Sequence, residues 1–351
     1  MANWYCSREA VKRAFGFHGT DVDPVVDRII EGVSRAFDLA TRRFFLPKTE
    51  TRLYRWPPRQ SGASTILWLD QDLLAVTTLM SEAQNSSPTT IAAADFFTEP
   101  NNSPPFDRIE IDSSSTAAFQ AGDTPQRSIS VLGRWGYSED TRASGTVASG
   151  LSSDASATSM VCSDASLIDV GDSLLIESEL LFVVDRAFAA LGSILLNGAL
   201  TATQSQTTVA VDGSHGVSAR ETILVDSEEM LVTSVVGNNL SVFRAFNGTT
   251  LAAHNNDTAV SINRTLTVQR GGNGTTAATH ANATAVSKYI PPVDVVSYCV
   301  AEAVARYQQE RAGWGRMVGA GEAQREFQGR SLGTERDAVI AQYKRLRMAA
   351  V

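Results

Sequence analysis

Leu240 to Val260 (LSVFRAFNGTTLAAHNNDTAV) is repeated at Leu266 to Val286 (LTVQRGGNGTTAATHANATAV), and the matches fall at one constant offset. Arg244 pairs with Arg270, Asn247 with Asn273, His254 with His280 and Val260 with Val286. A second echo lies upstream: Ser173 to Glu179 (SLLIESE) resembles Thr222 to Glu228 (TILVDSE), and the stretches before them, TSMVCSDAS and TTVAVDGSH, also align. A duplication constrains a chain more than any single motif, because each copy is one supersecondary unit that buries its apolar face against its own kind. The copies consist of short β-branched strands joined by Asn-Gly, Asp-Gly or Gly-Asn-Asn turns, whose residues tolerate positive φ. The pattern predicts a compact all-β repeat module, as two small barrels or one sandwich.

Composition places the edges of this module. From 141 to 288 the chain is rich in Ser, Thr, Ala, Asn and Gly, and holds no Trp, Tyr or Pro. Its charge balance is −6, against −4 for 1–140 and +2 for 289–351. Three zones follow: 1–140, an inserted module at 141–288, and 289–351.

The flanking zones carry the helical period. Ser7 can cap a short helix to Phe15. Asp23, with Pro24 behind it, starts a longer one, whose face of Val26, Ile29, Ile30, Val33, Phe37 and Phe44 recurs every three or four residues. Pro47 ends it. Short strands are predicted at 51–56, 64–70, 73–80, 107–112 and 127–132, separated by polar, Pro-containing loops. Helix returns at Val293 to Arg311 after Pro291-Pro292, a Gly-punctuated loop follows Gly313, and a last helix starts at Thr334. The fold expected is α+β: a helical connector core with short β strands, plus the inserted all-β module.

The net charge is −8, which argues against nucleic-acid binding through a general basic surface. No apolar run is long enough for a membrane span, and the start carries no secretory h-region. Cys6, Cys162 and Cys299 lie far apart, and no His stands near another or near a Cys, so neither a disulfide framework nor a local metal motif is expected. The repeated His254 and His280 read as residues that set a turn against its own loop. Glu177/Glu179 and Asp226/Glu228 resemble a hydrolase's paired carboxylates, but such pairs on a hairpin are commonly solvated. Asn-Gly-Thr at 247 and 273 reads as a hairpin turn. No enzyme activity and no cofactor are expected. The C-terminal basic residues Arg316, Arg325, Arg330, Lys344, Arg345 and Arg347 read either as a solvated helix face or as a tail that docks on an acidic groove.

Taken in order, the flanking features resemble the head–tail connector (adaptor, neck) proteins of tailed double-stranded DNA bacteriophages. They are the helix ending in ATRRFF (Ala40 to Phe45), then Leu67-Trp-Leu-Asp70, Leu73-Leu-Ala-Val-Thr-Thr78, Gly133-Arg-Trp-Gly-Tyr137, and Pro291-Pro-Val-Asp294 opening a helix that ends in Arg306-Tyr-Gln-Gln-Glu-Arg311. VDSEEMLVTSV and GNNLSVFRAFNGTTLAAH resemble a β insert that some such proteins carry. The duplicated insert departs from the compact family pattern in length. The resemblance implies a structural virion protein, made in the host cytoplasm and placed in the neck between capsid portal and tail. It implies a homo-oligomeric ring of about twelve copies, built head to tail through two unlike patches. The ring binds the portal protein on one side and the next neck or tail protein on the other, and DNA passes through during genome ejection without sequence-specific contact. No membrane is involved. Portal docking is expected from Arg316, Arg325, Arg330, Lys344, Arg345 and Arg347. The ring interface is expected from Arg28, Glu31, Arg35, Asp38, Arg42, Glu302, Arg306 and Glu310. The alternative is a virion decoration or host-receptor protein whose β module binds carbohydrate.

Overall fold

The computed structural model describes residues 3–57, 65–189, 194–213, 215–311, 317–318, 325–326 and 329–345. The expected helical connector core is overturned. Strands hold 36% of residues and helices 21%, and two large antiparallel sheets organise the chain. The reason lies in the segments read as short strands. Residues 64–70 and 73–80 are not two strands but one of 16 residues, β2 (Ile66–Ser81), whose register shifts between Trp68 and Leu73. A bulge lets one strand bend without ending: Ile66 to Leu73 face residues 106–110 across the shift, and Leu73 to Met80 face residues 130–135.

The first sheet has the order β1-β6-β2-β5-β4, from β1 (Lys48–Tyr54), β6 (Ile129–Trp135), β5 (Phe106–Ile111) and β4 (Phe96–Glu99), with β3 (Thr89–Ile91) on the end of β2. One face is apolar: Leu67, Leu73, Ile109, Ile129, Val131 and Trp135 share a core with Trp56 and Phe119. Alternation along each strand sends every second side chain there.

The second sheet spans β7 (Thr141–Thr146) to β16 (Ala285–Tyr289) and contains the duplication. The first unit consists of β8 (Ser159–Val161), β9 (Ser173–Ile176), β10 (Glu179–Ala189), the second half of β15 (Val260–Gln269) and β16. The second consists of β11 (Thr208–Ala210), β12 (Thr222–Val225), β13 (Glu228–Val236), β14 (Asn239–Phe243) and the first residues of β15. Their pairings correspond one to one. Glu179 opposes Ile176 as Glu228 opposes Val225. Met160 opposes Leu266 as Val209 opposes Leu240. Ile176 opposes Val286 as Val225 opposes Val260. Even the isolated bridges repeat: Leu151 with His280, Leu200 with His254.

These equivalences show a nested duplication rather than a tandem one. In the second unit β13 returns as β14 through the two residues Gly237-Asn238, with Gly237 at φ 56°. In the first unit the same connection, from Ala187 on β10 to Thr265 on β15, contains the whole second unit. Each unit keeps its own core: Ile223, Val225, Met230, Val232 and Leu240 in one, and Leu174, Ile176, Leu181, Val183 and Leu266 in the other. The module enters and leaves at one place, because Thr141 on β7 pairs with Tyr289 on β16.

The helices pack beside the sheets. In α1 (Arg8–Phe15) Ser7 Oγ accepts from Ala10 N at 3.2 Å, the expected cap. α2 (Asp23–Thr41) differs. Asp23 makes no cap bond and instead pairs with Lys12 on α1 at 2.8 Å, and the helix stops at Thr41, before Phe44. α3 (Val293–Arg311) runs antiparallel to α2, with Arg28 on Glu310 at 2.8 Å and Phe37 on Tyr298 at 4.7 Å between centroids. α4 (Gly329–Tyr343) starts five residues before the expected Thr334. No helix among the described residues is long and apolar enough to cross a membrane.

Contacts on two sides lock the module onto the rest. The Trp4 ring meets Phe182 edge-on at 5.4 Å, and Val170 N donates to Glu9 Oε2 at 2.9 Å. On the other side Asn273 Nδ2 donates to Pro47 O at 2.9 Å, beside β1.

Candidate functional site

The charged residues common to both units meet in two copies of one buried cluster. In the first, Arg270 Nε and Nη2 each reach a Glu179 oxygen at 2.7 Å, and Nη2 also donates to Ala278 O at 2.6 Å. Backbone N–H groups of Gly271 and Ala278 donate to the same carboxylate at 2.9 and 3.0 Å. His280 lies between Glu177 and Glu179 at 2.8 Å from each. In the second, Arg244 forks onto Glu228 at 2.7 Å, Ala245 and Ala252 N–H donate to it, and His254 lies between Asp226 at 2.7 Å and Glu228 at 2.9 Å. Both partners of each ring are carboxylates, so each ring bridges an exposed corner acid and a buried glutamate.

Local backbone explains the acid spacing. Glu177-Ser178 and Asp226-Ser227 are two-residue hairpin corners, and Glu177 and Asp226 sit at φ 54° and 51°. A non-glycine residue is uncommon there, and the His contact holds each corner acid in place. The expectation that these pairs would be solvated is corrected for one member of each. Glu179 and Glu228 are wholly buried, while Glu177 and Asp226 stay 58% and 60% exposed at the side chain. Burial pushes the Glu179 carboxyl up, but the Arg270 guanidinium, the Ala278 and Gly271 N–H groups and His280 outweigh it and hold it down to about 2. Glu228 is held to about 2 against burial in the same way, by Arg244, His254, Ala252 and Ala245. With every partner supplied from within, the clusters are braces. A third fork, Arg264 on Glu221 at 2.6 and 2.8 Å, ties β15 to the loop before β12.

The Asn-Gly-Thr segments are not hairpin turns. Each follows its arginine in a tight 3-10 turn, Phe246–Gly248 and Gly272–Gly274, with Asn247 and Asn273 at φ 53° and 50°.

The helix residues expected at a ring interface divide by exposure. Arg28 pairs with Glu310 and Arg306 with Glu302 at 3.0 Å, both within the chain. Arg35 meets Asp38 at 2.9 Å, and Tyr5 Oη donates to Asp38 at 2.5 Å. Burial lifts the Asp38 carboxyl to about 6, against the pull of Arg35 and the Tyr5 hydrogen bond. Glu31 and Arg42 are exposed.

Of the C-terminal basic residues, Arg316 and Arg347 lie outside the described residues, Arg325 is in a two-residue strand, Arg330 is in the first turn of α4, and Lys344 is exposed. Arg345 turns inward. It pairs with Asp72 on β2 and donates to Leu69 O at 2.9 Å, while Arg43 reaches the other Asp72 oxygen at 2.6 Å. Burial raises the Asp72 carboxyl, and the two guanidiniums pull against that rise.

Outside the second sheet two apolar sets stand exposed, and on the second sheet Val184, Val236 and Phe243 are exposed as well. Leu53, Trp68 and Phe97 point away from the core of the first sheet, Phe97 being 56% exposed, with the Arg108 guanidinium 5.2 Å from the Trp68 ring centre. Leu39 on α2 and Val293 at the start of α3 are 80% and 74% exposed, and the antiparallel pairing of the helices puts them at one end. Sequence reading named neither set, since alternation identifies an outward face but not one left apolar.

Searches against family models, curated proteins and solved structures find no match to this chain.

Proposed function

We propose that this chain is a structural neck component of a tailed-phage particle, assembling into a closed ring that joins the portal to the tail. The observation that carries the reading is the pair of unlike apolar sets, Leu53/Trp68/Phe97 on the sheet and Leu39/Val293 on the helices. A head-to-tail ring needs two different patches that fit each other, whereas a two-fold dimer needs only one. The order of flanking motifs, from Ala40-Thr-Arg-Arg-Phe-Phe45 to the helix ending at Arg311, supports the same reading. So does the attachment of the β module through adjacent strands, which lets it project without interrupting the flanks. A net charge of −8 suits a channel wall, because like charge repels phosphates and lets DNA slide. The partners proposed are further copies of the chain, the portal protein and the next neck or tail protein.

The test is mass photometry and electron microscopy of the purified full chain, with co-sedimentation on portal rings. A closed ring, disrupted by Trp68→Asp and by Leu39→Asp separately, is expected. A chain that stays monomeric at about 50 µM, well above the Kd of a stable interface, and fails to sediment with portal overturns the reading.

A further inference from the structure

The two units build the same brace, with Glu177 of the first replaced by Asp226 in the second, and among the positions where their sequences differ three fall together in space. Arg220, Glu229 and Phe246 of the second unit occupy the positions of Gly171, Leu180 and Gly272 in the first. All three second-unit residues line a single cleft of about 210 Å³, between α1, the turn after it and the face where the two units join. The three exchanges give this cleft a cation, a carboxylate and a ring where the first unit has two glycines and a leucine.

We propose that this cleft binds a neutral saccharide, one sugar ring at a time. Its size is the first reason: clefts for drug-sized ligands start near roughly 300 Å³, so this one suits a single ring. Charge is the second. Five basic and five acidic side chains line it, and several neutralise each other, Lys12 with Asp23 at 2.8 Å and Arg13 with Asp169 at 3.0 Å. A balanced wall gives no advantage to an anion or a cation, but offers donors and acceptors together, which is what a polyhydroxylated ligand requires. Arg220 makes no ion pair among the described residues, and Arg186 Nε and Asn263 Oδ1, a donor and an acceptor on two lining residues, make no hydrogen bond. Aromatic surface is the third. Phe17, Phe188 and Phe246 line the cleft with His18, whose ring centre lies 5.8 Å from that of Phe246. Flat π faces with polar groups at the rim match the apolar C–H face and hydroxyl edge of a pyranose. The proposal goes beyond the neck reading and does not depend on ring formation.

Saturation-transfer difference NMR on the full chain tests it, with glucose, galactose, rhamnose and N-acetylglucosamine each at about 10 mM, enough to detect millimolar Kd values. Transfer to at least one of the four is expected. It should fall about fivefold or more in Phe246→Gly and in Arg220→Gly, which install the first unit's own residues, and persist in Thr90→Ala, an exposed position on the other sheet. Thermal melts followed by circular dichroism check that the variants remain folded. Absence of transfer from all four sugars, or transfer that survives both glycine variants, overturns the proposal.

Discussion

Glu179 and Arg270 lie 91 residues apart in the chain and meet in a buried fork with both contacts at 2.7 Å, whereas Glu228 and Arg244 make the same fork across 16. The longer separation is the second unit, threaded through the hairpin of the first. The second unit can therefore close from local contacts, while the first closes only when β15 comes back from it. Loop-closure entropy grows slowly with length, so such an insertion is tolerated once its ends are held together. Here they are, since Ala187 pairs with Thr265.

Excision of the second unit follows from that pairing. Joining Ala187 to Thr265 through Gly-Asn copies the turn that links Val236 to Asn239. The shortened chain is expected to fold, with the Glu179–Arg270–His280 cluster intact. A cooperative thermal transition and a β-type circular dichroism spectrum would show it; loss of both would mean the first unit cannot stand without the second.

Breaking one brace should cost far more than a surface ion pair. Arg270→Met leaves the buried Glu179 carboxylate without its guanidinium, and removing one partner of a buried pair typically costs roughly 3–5 kcal/mol. Replacing both, as Arg270→Met with Glu179→Leu, is expected to cost less than the single change, because no charge is then stranded. Urea titrations of the full chain measure both, and equal losses would show that the charge itself is unimportant.

Acid should weaken the module through the same carboxylates. Glu179 and Glu228 are held to about 2 when folded, below the roughly 4.3 of an unfolded glutamate. As pH falls the unfolded chain binds protons first, so these two groups contribute stability above about 4.3 and lose it between there and about 2. Unfolding midpoints measured from pH 6 to pH 2.5 should drop across that window, and Glu228→Gln, already less stable at pH 6, should show a shallower drop. An unchanged slope in that variant would assign the acid sensitivity elsewhere.

Much of this arrangement is legible in the sequence, and what is not has definite physical causes. Both copies of the repeat lie in the second sheet, and the apolar spacing of Val26, Ile29, Ile30, Val33 and Phe37 matches the buried face of α2. The strand-dominated fold is hard to read because helical periodicity is conspicuous in a short window, whereas β2 hides its continuity behind a register shift after Trp68. The nesting is concealed because two different offsets, one before the hairpin and one after, look like two unrelated echoes. They agree once Gly237-Asn238 is seen as the point where the second unit enters the first. The braces had a usable signal: Glu179/Glu228, Arg244/Arg270 and His254/His280 are charged or titratable residues kept in both copies. What no spacing reveals is that Arg345 folds back on Asp72, since that contact joins elements 273 residues apart.

The two Asn-Gly-Thr turns provide a matched pair of substitutions. Gly274 and Gly248 sit at φ 82° and 79°, so alanine meets the same backbone strain at either, about 1–2 kcal/mol. Their surroundings differ. A Cβ on Gly274 would lie 2.0 Å from Thr49 O on β1, whereas one on Gly248 would meet only Gly19 Cα at 4.0 Å. The Gly274 clash is with backbone and cannot be relieved by a side-chain rotation, so the turn must lift from the first sheet and take the Asn273–Pro47 hydrogen bond with it. Gly274→Ala is therefore expected to lose roughly 1–3 kcal/mol more than Gly248→Ala, the usual range for forced overpacking. Hydrogen exchange should locate the excess loss at the Pro47–Thr49 edge. Equal destabilisation by the two variants would show that this turn does not anchor the module.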